Sequence, residues 1–256
     1  MYPFKIGTTS FIYSDGYVPN VTMLGPYIDE IELLLFESQP GSLPGQNDIG
    51  ALSLLSAEFD LTYNIHLPTD ISFGHKDPSP RHHAVETILR VLDLSSPLCP
   101  STCTLHLSYD ETSGEKEMVQ KWRERIYEAI NRLVNLGAKA EDISIENINY
   151  PFAWVEDMVR EFNFTVCMDM GHLMVRGEDL EGFFSDHDNH ISIIHLHGVE
   201  NGCDHLSLTR LAAERAEEII GILNQFSQTV SLEVFSYHDL ATSLVFLEKW
   251  WHKLSC

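Results

Sequence analysis

Basic residues are scarce in this chain. Only 16 Lys and Arg stand against 38 Asp and Glu among 256 residues, a formal net charge of -22. Duplex binding depends on Lys and Arg displacing counterions from phosphates, so this surface argues against a nucleic-acid partner. The same deficit argues against docking on anionic lipid and fits a role in solubility. Cysteine is sparse as well. Cys99, Cys103, Cys167, Cys203 and Cys256 form an odd set without a CxxC pair, which indicates neither a disulfide frame nor a zinc ribbon. No apolar run approaches the roughly 18 to 20 residues of a membrane span. The opening Met1-Tyr2-Pro3-Phe4-Lys5-Ile6-Gly7 runs straight into a strand without a signal-peptide layout, and a reducing cytoplasm is the expected setting. A GxGxxG turn after the first strand is missing, as are any linker, low-complexity tract or sequence repeat.

What is present is an alternation of short apolar strands with helices. Strands are read at Phe4 to Thr9, Ile31 to Phe36, Leu61 to Leu67, Cys103 to Leu107, Ile143 to Ile148, Thr165 to Asp169, Ile191 to Leu196 and Val230 to Phe235. Helices are read at Asn47 to Phe59, from a Ser79-Pro80 start to Leu94, Glu115 to Leu136 closed by Gly137, Phe152 to Phe162, Asp179 to Phe184, Leu208 to Phe226 and Ser236 to Leu254. Phe11 to Asn20 reads as a long polar and aromatic loop. Strands separated by helices pair in parallel, and 256 residues match the ~250 typical of one (β/α)8 TIM barrel. A single barrel domain over residues 1–256 is therefore expected, with a doubly wound open sheet as the competitor.

Chemistry in such a barrel collects where the strands' carboxyl ends meet. In Thr165-Val166-Cys167-Met168-Asp169-Met170-Gly171-His172-Leu173 a strand runs into Asp169, Gly171 permits a tight turn, and His172 follows three positions after the carboxylate. The strand ends, taken in order, add His66, His106, Glu146, His195 and Glu233. All are metal-ligand types. Imidazoles mixed with carboxylates suit Zn, Mn, Fe or Co, whereas Mg or Ca prefers all-oxygen sets. One ion uses about four to six ligands, so seven candidates point to two or three ions, with Glu146 or Glu233 suited to bridging.

The succession Ile65-His66-Leu67, Leu105-His106-Leu107, Ile145-Glu146-Asn147, Met168-Asp169-Met170-Gly171-His172, Ile194-His195-Leu196-His197-Gly198 and Leu232-Glu233-Val234 resembles the xylose isomerase-like barrel superfamily that includes the class II AP endonucleases. That resemblance covers nearly the whole chain. It implies three zinc ions: one on His66, His106 and Glu146, a second on Glu146, Asp169, His195 and Glu233, and a third on His172 with His205. The family's Asp-x-His pair is altered here, since Cys203-Asp204-His205 sets Asp and His side by side, which puts Asp204 and the third ion in question. Within the superfamily, Phe4 to Ser10, Asp29 to Ser38, Asn64 to Asp70 and His195 to Val199 look most like the cobamide-remodelling hydrolases. That likeness implies a corrinoid substrate whose nucleotide loop is detached at an amide or phosphodiester bond.

A polynuclear site of this kind lowers a bound water's pKa toward ~7 and polarises the scissile oxygen. Glu146 or Glu233 is then expected to steady the water or move its proton, and His197 or His106 to protonate the leaving group. Two rivals stand beside this reading. A single-metal sugar isomerase or epimerase would use Glu146, Asp169, His195 and Glu233, and abasic-site DNA cleavage is favoured by the ligands and opposed by the charge. Other residues have plainer readings. Arg81-His82-His83 is expected at the surface, Asp186 to His190 on the far face of the barrel, and Trp250-Trp251 in the core or a subunit contact. The loops after strands one and three overhang the mouth, where Phe11, Tyr13, Tyr17 and Phe73 could meet a large planar ligand.

Overall fold

Near-continuous apolar runs such as Ile191-Ser192-Ile193-Ile194 are what a strand buried on both faces requires. In the computed structural model, which describes residues 2–254, they become barrel strands. These are β1 Lys5–Thr9, β2 Glu30–Leu34, β3 Thr62–His66, β4 Cys103–Leu105, β5 Ile143–Glu146, β6 Thr165–Asp169, β7 Ile191–Leu196 and β10 Thr229–Leu232. The eight run parallel and close in the order β1-β10-β7-β6-β5-β4-β3-β2. The short β8 Gly198–Glu200 and β9 Cys203–Leu206 pair antiparallel above the mouth. The expected eight-stranded barrel is therefore the observed fold.

The helices pack outside: α1 Tyr17–Leu24, α2 Gln46–Phe59, α3 Pro78–Ser95, α4 Lys116–Asn135, α5 Glu156–Phe162, α6 Met170–Arg176, α7 Leu180–His187, α8 Ala213–Leu223 and α9 Tyr237–Leu254. In α4 the buried Val119, Trp122, Ile126, Ile130 and Leu133 recur at three- and four-residue spacing, a stripe facing the barrel. Each large apolar side chain so buried contributes roughly 1.5–3 kcal/mol. No helix among the described residues is long and apolar enough to cross a membrane.

Several local expectations are corrected. The stretch after β1 is not loop throughout, because α1 begins at Tyr17. Buried Asn20 organises the turn before it, accepting from the Ile12 and Tyr13 amides and donating to the Tyr13, Asp15 and Gly16 carbonyls. Helix α3 starts at Pro78 with Asp77 as N-cap, slightly ahead of the Ser79-Pro80 start, since a first-turn proline sacrifices no bonded N–H. Phe152–Trp154 is a separate 3-10 turn ahead of α5, and Leu208–Arg210 one ahead of α8. The β8–β9 hairpin turns through Asn201 (φ 53°) and Gly202 (φ 78°), the Asn-Gly pair that a two-residue hairpin favours. Phe73 does not overhang the mouth; at 1 % exposure it belongs to the core. Trp251 is likewise buried, against Tyr2 and Phe4.

Candidate metal centre

Each proposed donor from the barrel is carried by a strand's carboxyl end or the residue just beyond it. His66 closes β3, Glu146 closes β5, Asp169 closes β6, and His195 is the last but one residue of β7. His106 and Glu233 follow β4 and β10 directly, and the Glu233 amide still donates to the Leu196 carbonyl at 3.1 Å. His172 sits in the first turn of α6, because Asp169 caps that helix by accepting the His172 amide at 2.6 Å. Gly171 thus lies in a helix and not in the tight turn expected of it. Its lack of a side chain serves another need, since a Cβ there would fall 1.8 Å from the His197 ring. His205 comes from β9, held at φ 53° with its ring Nδ1 3.2 Å from the Glu233 carbonyl.

Four groups of donors result, each with its ligand atoms within 4.8 Å of one another: His66, His106 and Glu146; Glu146, Asp169, His195 and Glu233; Glu146, Cys167 and His195; and His172, His197 and His205. Glu146 divides its two oxygens. Oε2 lies 2.7 Å from His106 Nε2 and 3.4 Å from His66 Nε2, while Oε1 lies 3.5 Å from both His195 Nδ1 and His172 Nδ1. His195 Nδ1 is also 3.3 Å from Glu233 Oε2, and His172 Nδ1 is 3.4 Å from Asp169 Oδ2. Asp204 reaches only to 4.0 Å from His172 Nε2 and is partly open to solvent.

Electrostatics follow from this crowding. Burial would raise the Glu146 carboxyl, but His106 and His195 outweigh it and hold the group well below the usual carboxylate range. Burial is likewise overcome at Glu233, chiefly by His195. The imidazoles move the other way. Against their burial, Glu146 raises His66, Asp169 raises His172, and the carboxylates of Glu32, Glu233 and Glu146 raise His195 well above its ordinary value. Burial drives the Cys167 thiol far up, so it stays neutral.

The fit to cations shows in the orphaned atoms. Buried His195 Nδ1 and Nε2, Glu233 Oε2 and Glu32 Oε1 have no hydrogen-bond partner of adequate geometry. Unpaired buried polar atoms are costly, and a lone pair facing a carboxylate oxygen at 3.3 Å is repulsive unless a proton or a cation lies between them. The mixed imidazole and carboxylate set suits a borderline divalent ion.

His197 is fully buried. Its Nε2 stands 3.3 Å from Asp169, and its Nδ1 accepts the His205 amide at 2.9 Å. Asp169 overcomes burial and pushes the ring up to about 9, yet the bond from His205 requires a bare Nδ1. We take the ring as neutral wherever that bond stands, because a protonated ring would set two donors face to face. Two further residues escaped the sequence reading. Asn147 brackets Asp169, accepting its amide at 2.8 Å and donating to its carbonyl at 2.9 Å. Glu32, fully buried on β2, places Oε1 3.0 Å from His195 Nε2.

Two cavities flank the donors. One of about 550 Å³ is lined by Phe11, Tyr17, Leu34, Phe36 and Phe235, with Asp15 and Glu37 but no basic side chain. Its Phe36 ring meets His66 edge-on at 4.7 Å, and Phe235 lies 5.1 Å from His205. The other, of about 430 Å³, opens over His106, His172, Asp204 and Arg176.

The family pattern described as "Xylose isomerase-like TIM barrel" matches residues 27–250. The chain belongs to that family. No curated protein matches it. Among solved structures it is similar to a D-tagatose 3-epimerase-like protein, with a TM-score of 0.81, 18% identity, and 98% of each chain covered. Endonuclease IV from Thermus thermophilus gives a TM-score of 0.74 and 16% identity, covering 97% of this chain and 99% of that one. A 3-keto-D-glucoside 4-epimerase from E. coli gives a TM-score of 0.73 and 15% identity over 96% and 99%. At these identities the likeness establishes the barrel, and the relatives divide between epimerases and endonucleases.

Proposed function

We propose that this protein is a hydrolase using at least two divalent ions, and that it opens the nucleotide loop of a corrinoid at an amide or phosphodiester bond. The observation that carries the reading is the division of Glu146, whose two oxygens face different donor groups as a bridging carboxylate would. His66, His106 and Glu146 would hold one ion, and Glu146, Asp169, His195 and Glu233 a second. His172 and His205, with Asp204 beside them, are the candidates for a third, and His197, whose two nitrogens face the His205 amide and Asp169, supports them. Ions bound there supply Lewis-acid chemistry, acidifying water and polarising the oxygen at the bond to be cut.

The chain's own groups have distinct parts. Glu146 and Glu233 are ionised by their imidazole neighbours and therefore suit charge and ligation better than proton uptake. Of the two histidines considered for protonating a leaving group, His106 opens on the second cavity but is committed to the first ion, and His197 is sealed and holds Asp169 and the His205 turn in place. The cavity of about 550 Å³, largely apolar and free of basic side chains, suits an apolar part of a substrate and not a sugar phosphate. Support for the corrinoid itself comes from the sequence resemblance and that cavity. The acidic surface weighs against DNA as substrate.

A sugar epimerase is the second reading. It is favoured by the quartet Glu146, Asp169, His195 and Glu233, which suffices for one ion and includes two glutamates for proton transfer at carbon. Metal analysis of the purified chain, then incubation with a cobamide and mass measurement of the products, decides between them. Two or more ions with loss of the nucleotide loop are expected. One ion and an unchanged corrinoid would favour the epimerase. Replacing Glu146→Gln should remove metal and turnover together, and turnover at the normal rate would defeat the bridging assignment.

A further inference from the structure

We propose that Glu32 is a positioning residue that fixes the His195 ring with Nδ1 turned toward the ion cluster. The proposal rests on His195 being a ligand. Glu32 is a carboxylate in the middle of Glu30-Ile31-Glu32-Leu33-Leu34, a strand buried at every position. Burying a charge there is costly unless something inside the barrel uses it. Its Oε2 accepts the Ser231 hydroxyl at 2.7 Å, and Ser231 stands beside His195 in the β10–β7 register. That bond aims Oε1 at His195 Nε2, 3.0 Å away.

The two ring nitrogens then have separate surroundings. Nε2 faces Glu32, and Nδ1 faces Glu233 Oε2 at 3.3 Å and Glu146 Oε1 at 3.5 Å. A ring bound to metal through one nitrogen commonly donates its other N–H to a carboxylate, which sets both tautomer and orientation. These four orphaned atoms would all be accounted for if a small turn of the ring brought Nε2–H onto Glu32 Oε1, already 3.0 Å away, and let Nδ1 share a cation with Glu233 Oε2. Cys167 is the other group near His195, but its neutral thiol is too weak an acceptor to choose the tautomer.

The test uses the full chain loaded with zinc. Nitrogen-15 shifts of His195 should show a protonated Nε2 and a metal-bearing Nδ1. Zinc competition should show Glu32→Leu binding about 10- to 100-fold more weakly, the range typical when a ligand's supporting carboxylate is lost. Glu32→Gln, which keeps an acceptor oxygen, should recover most of that affinity with the same number of ions per chain. Coordination through Nε2, unchanged affinity in Glu32→Leu, or loss of one whole ion in Glu32→Gln would each overturn the proposal, the last by making Glu32 a ligand. If Glu32→Leu does not fold, the wild-type shifts and the Gln variant still decide. A His195 that zinc leaves unshifted would also remove the second ion proposed above, whereas Nε2 coordination sinks this inference alone.

Discussion

Replacing Gly171→Ala sets two well-defined effects against each other. Gly171 is in helix α6, where alanine is normally better by ~0.5–1 kcal/mol. Here the added Cβ would stand 1.8 Å from His197 Cε1 and 2.3 Å from both ring nitrogens. Ordinary carbon contacts are ~3.5–4 Å, so the ring must retreat by roughly 2 Å. It has nowhere to go, being fully buried, 3.3 Å from Asp169 and stacked on His205 at 4.2 Å between centroids. Overpacking of this kind costs ~1–3 kcal/mol. Orphaning the His205 amide adds ~1–3 kcal/mol. After the helix gain, a net loss of roughly 1–5 kcal/mol remains, or a Tm drop of about 3–15 °C for a chain of this size. Gly50 in α2 and Gly221 in α8 have nothing within 4 Å of the same built Cβ, so Gly50→Ala and Gly221→Ala should hold or raise Tm. Thermal unfolding of the three variants by circular dichroism is the assay. A Gly171→Ala protein as stable as wild type, or shifted in the same direction as its controls, would refute the packing argument.

Other outcomes follow from the same site. In metal-free protein the depressed carboxyls of Glu146 and Glu233 contribute stability that is present above their unfolded pKa near ~4.3 and lost as pH falls. The raised His66, His172 and His195 contribute stability that is complete below ~6.5 and lost as pH rises through their folded values. Urea midpoints should therefore peak between about pH 4.5 and 6.5, and a maximum above neutrality would contradict the assigned shifts. Zinc uptake near pH 7 should displace protons from these imidazoles, seen as a buffer-dependent calorimetric heat; an uptake with no proton release would show that they are already bare. Phe11 and Phe235 are 57 % and 38 % exposed, so Phe11→Ala and Phe235→Ala should change stability by no more than ~0.5 kcal/mol while raising KM for a flat substrate several-fold. An unchanged KM would remove the apolar cavity from the substrate path.

The sequence by itself determined the barrel and the neighbourhood of its chemistry. Apolar runs broken by helical periods dictate parallel strands, and β7 at Ile191–Leu196 falls where the apolar run predicts it. His66, Glu146, Asp169 and His195 stand at strand ends because side chains there are displayed toward the mouth whatever the loops do. Tertiary structure alone decided which atoms meet. Glu32 lies among Ile and Leu in a strand that reads as core, and only closure of β2 against β1, with β10 and β7 beyond, brings it to His195. Gly171 reads as a turn residue until the His197 ring is seen against its Cα, and Phe73 reads as a mouth aromatic until it is found in the core. The physical reason is the same in all three cases: strand and helix periods are set by local backbone geometry, whereas contacts between residues far apart in the chain, such as Glu32 with His195 or Gly171 with His197, exist only after the barrel has closed.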